Sequence, residues 1–197
     1  MTKMMAALAD LVLQTRSCRR FDESVKISQA ELRNLLELAR LGGSARNAQP
    51  LKYLAACTPA LNDKIFPHLA WAGYLPEWPG PTAGERPTGY IVCLLDTRIA
   101  NNGDIDLGIA SQNILLGASA MGLAGCRIAS VAAKLHTELG LAAHLKIMLV
   151  IALGKAKETV VLEEITPAGD IKYWRDEKQI HHVPKRALAD IIITPTP

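Results

Sequence analysis

The 197-residue sequence carries none of the short signatures that mark self-contained catalytic machinery. HExxH and Cys/His ligand spacings are absent, which removes the common zinc sites. Without GxSxG there is no nucleophile elbow, and without a Walker-type loop there is no nucleotide triphosphate cradle. GxGxxG is missing too, and two helical patterns precede the first strand-like run, so a doubly wound dinucleotide fold does not fit. The four cysteines, Cys18, Cys57, Cys93 and Cys126, form no CxxC pair. Two of them fall in apolar strand-like runs, so neither a disulfide framework nor a metal site is indicated and a reducing compartment is expected. The five histidines are scattered except for His181 and His182, which on a strand would face opposite ways, and no metal is expected. No apolar run approaches the length of a membrane span. Near the N-terminus, Asp10 and the helical spacing of Leu8, Leu11 and Val12 describe an amphipathic helix rather than a signal peptide. A net charge of +3 without a concentrated basic stripe gives no reason to expect nucleic acid. The expectation is a cytoplasmic protein with neither membrane nor nucleic-acid partner.

What is present suits one domain over residues 1–197. Residues 101–122, NNGDIDLGIASQNILLGASAMG, read as a helix with Asn102 or Asp104 at its start and Gly122 as its left-handed stop. Its apolar residues leave no broad polar face, so it is buried. Its cover comes either from the core of one chain or from a second subunit, and Gly108, Ala110, Ser111 and Gly117 would allow close approach. Around it, a helix over about 4–14 precedes TRSCRRFDES, and Ser28–Glu31 forms a capping box for a helix that stops at Gly42-Gly43. Strands are expected at 51–57, 88–95, 124–131 and 146–153, the last at the centre of the sheet, with helices from Thr58 to about His68 and over 132–139. Residues 170–183 read as a hairpin, and the tail ends in a short apolar strand suited to another subunit's sheet. This is an α+β sheet flanked by helices.

Three stretches offer chemistry. Arg16, Arg19 and Arg20 crowd around Ser17 and Cys18, which reads either as a solvated turn paired with Asp22 and Glu23 or as a phosphate or carboxylate clamp. The polar loop from Gly42 to Pro50 either makes a turn or presents N–H groups and amides to a ligand. Trp71, Tyr74 and Trp78 lie in a Pro/Gly-rich stretch, either as a lid over a flat ligand or as plugs on the side of the core. Anion clamps and aromatic cover without a triad or a metal suggest chemistry borrowed from a cofactor.

Together these pieces resemble the FMN-dependent nitroreductase family. Arg16-Ser17-Cys18-Arg19-Arg20-Phe21 is similar to its N-terminal RSxRxF motif, and Ala39-Arg40 with Gly43-Ser44-Ala45-Arg46-Asn47-Ala48-Gln49-Pro50 to its AR…PSxxNxQP loop. Residues 122–128, GLAGCRI, resemble GLGSxWIG, Leu153-Gly154 the LG ending the central strand, and Pro184-Lys185-Arg186 the basic C-terminal element. The resemblance implies a nitroreductase-like mixed β-sheet flanked by helices, with the long central helix buried at a homodimer interface. It implies FMN held at its phosphate and ribityl chain by Arg16, Ser17, Lys185 and Arg186, with Cys18 alongside and Arg19 near the pyrimidine edge. Gly43, Ser44, Ala45 and Asn47 would come from the other subunit, and Arg127, Ile128, Ala129 and Ser130 would run beside the ring. Trp71, Tyr74 or Trp78 would cover the exposed ring face and bind substrate. Thr15 stands where many members have a further Arg, Gly43 replaces a Pro, and Ala129-Ser130 replaces a Gly-containing pair. The implied activity takes hydride from NADH or NADPH and reduces a nitroaromatic, quinone or related small-molecule acceptor by a ping-pong mechanism, with no catalytic side chain beyond the flavin. The alternatives are a non-catalytic FMN-binding, storage or sensor dimer, and a flavin reductase of another type, such as one for dehalogenation or enone reduction.

Overall fold

The computed structural model describes residues 2–166 and 168–195. Its organising strand is β5 (Leu145–Ala156), which pairs antiparallel with β3 (Gly89–Asp96), β4 (Ala124–Ile128) and the two-residue β1 (Phe21–Asp22). β2 (Leu51–Ala56) adds to β3. All eight residues of β3 are buried, as expected for a strand covered on both faces. Alternate residues feed two cores. Tyr90, Val92 and Leu94 join Val150, Ala152, Cys126 and Ile128 on one face, together with Ile65 of α3 (Pro59–Ile65) and Leu135 of α5 (Lys134–Glu138). Ile91 and Cys93 join Ile151 and Leu153 on the other, beneath α2 (Gln29–Arg40) and α4 (Asp104–Ala120).

Local chemistry places the helices. The Ser28 hydroxyl accepts the Glu31 N–H at 3.2 Å while the Glu31 carboxylate accepts the Ser28 N–H at 2.7 Å, closing the capping box of α2. Thr58 caps α3, which is shorter than its pattern predicts. A 3-10 turn, Phe66–His68, follows it, because Pro67 has no N–H to continue the ladder. β4 likewise stops at Ile128, leaving Val131 to bridge singly to Leu69.

α4 starts from Gly103, with Asn102 Oδ1 accepting the Asp104 N–H at 2.8 Å, and Gly122 at φ +71° supplies the stop. Asp106, Leu107, Ala110, Ser111, Ile114, Leu115, Gly117 and Ala118 face inward. Ile105, Gly108 and Ile109 form an opposite row, and Ile105 is 72% exposed. Within one chain the helix is therefore covered on one side. α1 (Lys3–Gln14), capped by the Thr2 hydroxyl, buries none of its residues, and Met4 is 84% exposed.

The expected hairpin is formed by β7 (Trp174–Arg175) and β8 (His181–Arg186). β8 also pairs in parallel with β6 (Val160–Ile165), a strand the sequence reading does not anticipate. After β8 comes a 3-10 turn, Leu188–Asp190, and then Ile191, Ile192 and Ile193, all exposed and outside any strand of this chain. No helix is long and apolar enough to cross a membrane among the described residues.

Candidate functional site

The junction between α1 and β4 assembles the first group. Gly125 lets the backbone approach closely, since a Cβ there would meet Leu115 Cδ2 at 2.6 Å and the Ala152 carbonyl oxygen at 2.8 Å. Ser17 bridges to Gly125 in parallel, and the Cys18 N–H donates to the Gly125 carbonyl at 3.0 Å. Alternation along β4 then sends Cys126 and Ile128 into the core and Arg127 toward α4. There Arg127 Nε donates to Ser111 Oγ at 2.8 Å and Nη2 to Gln112 Oε1 at 2.7 Å. Arg16 Nη2 donates to the Val12 carbonyl at 2.8 Å, while its Nε is buried without a partner. Burial lowers the pKa of both guanidinium groups, and at Arg127 the charge of Arg16 adds to the lowering. Among the described residues neither is paired with a carboxylate. The Ser17 residue is exposed. Buried Cys18 has its thiol pushed up to about 12, chiefly by desolvation, which makes it a packing group and not a nucleophile. Ala129 and Ser130 follow on the exposed end of the strand.

Arg19 goes elsewhere. Its backbone N–H donates to Glu158 Oε1 at 2.8 Å, its guanidinium lies 4.5 Å from the centre of the Tyr173 ring, and Nη1 is 3.0 Å from His181 Nε2. Burial, then the charges of Arg19 and Arg175, bring His181 down to about 4, so the imidazole is neutral near pH 7 and its Nε2 accepts from Arg19. Glu158 also receives Arg175 Nη2 at 2.8 Å. Arg19 is thus packed into the C-terminal hairpin, with 8% of its surface exposed.

The aromatic segment packs on the same hairpin. Tyr74 meets Tyr173 with ring centres 4.9 Å apart, and the Arg175 guanidinium sits 4.2 Å over Trp78. Trp71 is buried against Phe66 and against Gly80, whose φ of +118° and absent Cβ leave room for the indole. Tyr74, Trp78 and Arg175 line a cavity of about 300 Å³, and Tyr74 is the one of the three aromatics that is largely exposed.

The loop at 43–49 is tied to the first turn of α4. The Asp106 carboxylate accepts from Ser44 Oγ and, at 3.0 Å, from the Ala45 N–H, while Ser44 Oγ accepts the Gln49 N–H at 2.9 Å. Asn47 Oδ1 accepts from Gln49 Nε2 at 3.2 Å. Gly43 and Ser44 line a cavity of about 510 Å³ with Tyr53 and Asp106. Asp106 lies roughly 7.5 Å along the helix axis from Ser111. Lys185 and Arg186 sit on the exposed end of β8, in register with Glu164 and Ile165. One chain therefore brings Arg16, Ser17 and Cys18 together with Arg127, Ile128, Ala129 and Ser130. Arg19, the loop and the basic tail belong to other clusters. The sequence assigns no site role to Asp106, Ser111, Gln112 or Glu158. Asp106 in the first turn of a helix was the one visible signal, and the others acquire meaning only from partners distant in sequence.

The model of the nitroreductase family matches residues 12–80, which include both the arginine motif and the loop. Solved structures extend the likeness along the chain. A protein named as a nitroreductase from Desulfovibrio desulfuricans, solved in complex with FMN, superposes with a TM-score of 0.68 at 23% identity, covering 96% of this chain and 98% of that one. The enone reductase CLA-ER of gut-bacterial fatty acid saturation gives 0.65 at 21% identity, over 77% of this chain and 89% of that one. A protein from Parabacteroides distasonis, named as an NADH dehydrogenase/NAD(P)H nitroreductase, gives 0.62 at 23%, over 89% and 96%. At these identities the structures share the fold with this chain.

Proposed function

Taking as premise a chain with the nitroreductase fold, whose residues 12–80 match the nitroreductase family model, we propose that it is a homodimeric FMN oxidoreductase driven by NADH or NADPH. Its acceptors would be nitroaromatics, quinones or related conjugated small molecules. The observation that carries this reading is the Ser17–Gly125 bridge, which sets the backbone of Arg16, Ser17 and Cys18 against β4, the strand that carries Arg127 and leads into Ala129 and Ser130. A phosphate monoester fits there: Arg16 has a buried N–H with no acceptor, and neither guanidinium is neutralised by an acid among the described residues.

Arg16 and Ser17 would hold the phosphate and ribityl chain, and the backbone of Ile128, Ala129 and Ser130 would flank the ring. Bound FMN would supply the hydride chemistry, accepting from the nicotinamide and giving to the acceptor in turn. Tyr74, exposed and backed by Tyr173, would offer an aromatic surface to flat substrates. The open row Ile105, Gly108 and Ile109 on α4, with the exposed α1 and the apolar tail, supports a second subunit as cover. That partner's loop at 43–49 would complete the site, with Lys185 and Arg186 joining Arg16 and Ser17 at the phosphate.

Initial rates of NAD(P)H oxidation, measured at several concentrations of a nitroaromatic and of a quinone, test the activity. Parallel double-reciprocal lines are expected. A flavin-loaded protein with no acceptor-dependent oxidation would leave a binding or storage dimer in its place.

A further inference from the structure

Another cavity, of about 190 Å³, lies where α3 meets the start of β3, lined among others by Asn62, Phe66, Arg86 and Tyr90. It shares no residue with the cluster at 16–18 and 127–130, with the loop at 43–49 or with the cavity beside Tyr74. Asn62 Nδ2 donates to the Thr88 carbonyl at 3.0 Å, which fixes the amide and leaves its Oδ1 buried without a donor. Glu23 Oε2 accepts the N–H of Gly84 at 2.6 Å and that of Arg86 at 3.4 Å, which holds the backbone that carries Arg86. The Arg86 guanidinium then lies 4.6 Å from the centre of the Phe66 ring, with its Nε buried and without an acceptor. Among the described residues no carboxylate pairs with it. Burial raises the pKa of the Tyr90 hydroxyl, Arg86 opposes the rise, and Glu23 and Asp63 add to it, so the phenol is neutral and all three charges act at one place.

A buried donor and a buried acceptor in one cavity, neither of which answers the other, call for a ligand that brings both. The walls narrow its charge. Lys26 and Arg86 balance Glu23 and Asp63 in the lining, so a net anion gains little from the sum, whereas a molecule with one charge of each sign meets both complements. Size narrows it further, since the space equals roughly six shares of liquid water at about 30 Å³ each. We propose that this cavity binds a free α-amino acid, with its carboxylate on the Arg86 guanidinium, its ammonium on Asn62 Oδ1 in the field of Glu23 and Asp63, and its side chain against Phe66 and Pro87. An Arg fork suits a carboxylate, and the amide oxygen is an acceptor for an ammonium proton. Both orphaned atoms are shielded from solvent, so binding requires Arg86 to turn about its side-chain bonds, and apart from the Phe66 ring its guanidinium has no partner to give up. The site is independent of the flavin reading.

Melting of the whole protein is followed with each standard amino acid at millimolar concentration, and any that raises Tm is titrated by calorimetry. Its amide, which lacks the carboxylate, its N-acetyl form, which lacks the ammonium, and plain acetate are run beside it. A saturable rise in Tm of about 3–6 °C is expected at roughly ten times Kd, and none of the three controls should reproduce it. Arg86→Gln is expected to weaken binding by about 10- to 100-fold, and Arg86→Lys by less, because it keeps the charge but not the fork. Without amino acid, Arg86→Gln should melt within about 2–4 °C of the wild type, since the guanidinium has no acceptor to lose; if it does not fold, the loss in Arg86→Lys carries the test. No amino acid that raises Tm, an equal rise from any of the three controls, or an affinity indifferent to both variants would overturn the proposal.

Discussion

Asp106→Ala tests whether the site loop is held in shape from α4. Arg46, Asn47 and Gln49 have φ values of 55°, 54° and 52°, a left-handed region that costs a non-glycine residue about 1 kcal/mol, so the loop stores roughly 3 kcal/mol. Opposing this strain, the Asp106 carboxylate accepts two hydrogen bonds, from Ser44 Oγ and the Ala45 N–H, each worth about 1.5–3 kcal/mol when the acceptor is charged. The two sides nearly balance, which makes the anchor decisive. Asp106→Ala should therefore destabilise by about 3 kcal/mol and lower Tm by roughly 6–12 °C for a chain of this length. Ser44→Ala should cost about half as much, and the double variant little more than Asp106→Ala, because both side chains belong to one relay. Hydrogen exchange should accelerate first at residues 44–49. Arg46→Gly in the wild type should be neutral or slightly stabilising, whereas glycine at an ordinary exposed position costs stability. An Asp106→Ala protein within about 0.5 kcal/mol of wild type, with unchanged exchange in the loop, would refute the balance.

Glu158→Gln should cost about 3–5 kcal/mol in urea unfolding because it strands the buried Arg175 guanidinium, while breaking the more exposed Arg20–Glu85 pair should cost about 1 kcal/mol or less. His181 titrates near 4 when folded and near 6.5 when unfolded, so the unfolded chain binds the extra proton between those values. The stability it contributes is complete above pH 6.5 and falls by about 1–3 kcal/mol as pH drops toward 4, a slope that His181→Gln should flatten in a melting series. Ile105→Glu alters an exposed position of one chain but the centre of the proposed interface, so sedimentation should show monomers with an unchanged far-UV spectrum; an intact dimer would remove α4 from the interface.

The features legible in the sequence were those that short-range chemistry fixes. Ser28 and Glu31 specify a helix start, Gly122 a stop, and KIMLVIAL a strand buried on both faces, and each is present in the fold. The motif at Arg16–Phe21 and the loop at 43–50 fall inside the residues that match the family model. Less legible was anything decided by a distant partner. Arg19 reads like its neighbours Arg16 and Arg20, yet Glu158 and His181, 139 and 162 residues away, draw it into the hairpin. β6 turns Leu162 and Glu164 outward and buries none of its residues fully, and its apolar positions alone did not reveal a parallel mate in β8. Trp71 and Tyr74 share one aromatic stretch, but the void over Gly80 takes the first into the core and leaves the second outside.

Absorbance of the purified protein, recorded anaerobically before and after adding NADH and then NADPH, tests the central claim most directly. Flavin bands that bleach with one or both nicotinamides are the predicted result. Bands that persist, or no bands even after FMN is supplied, would contradict it.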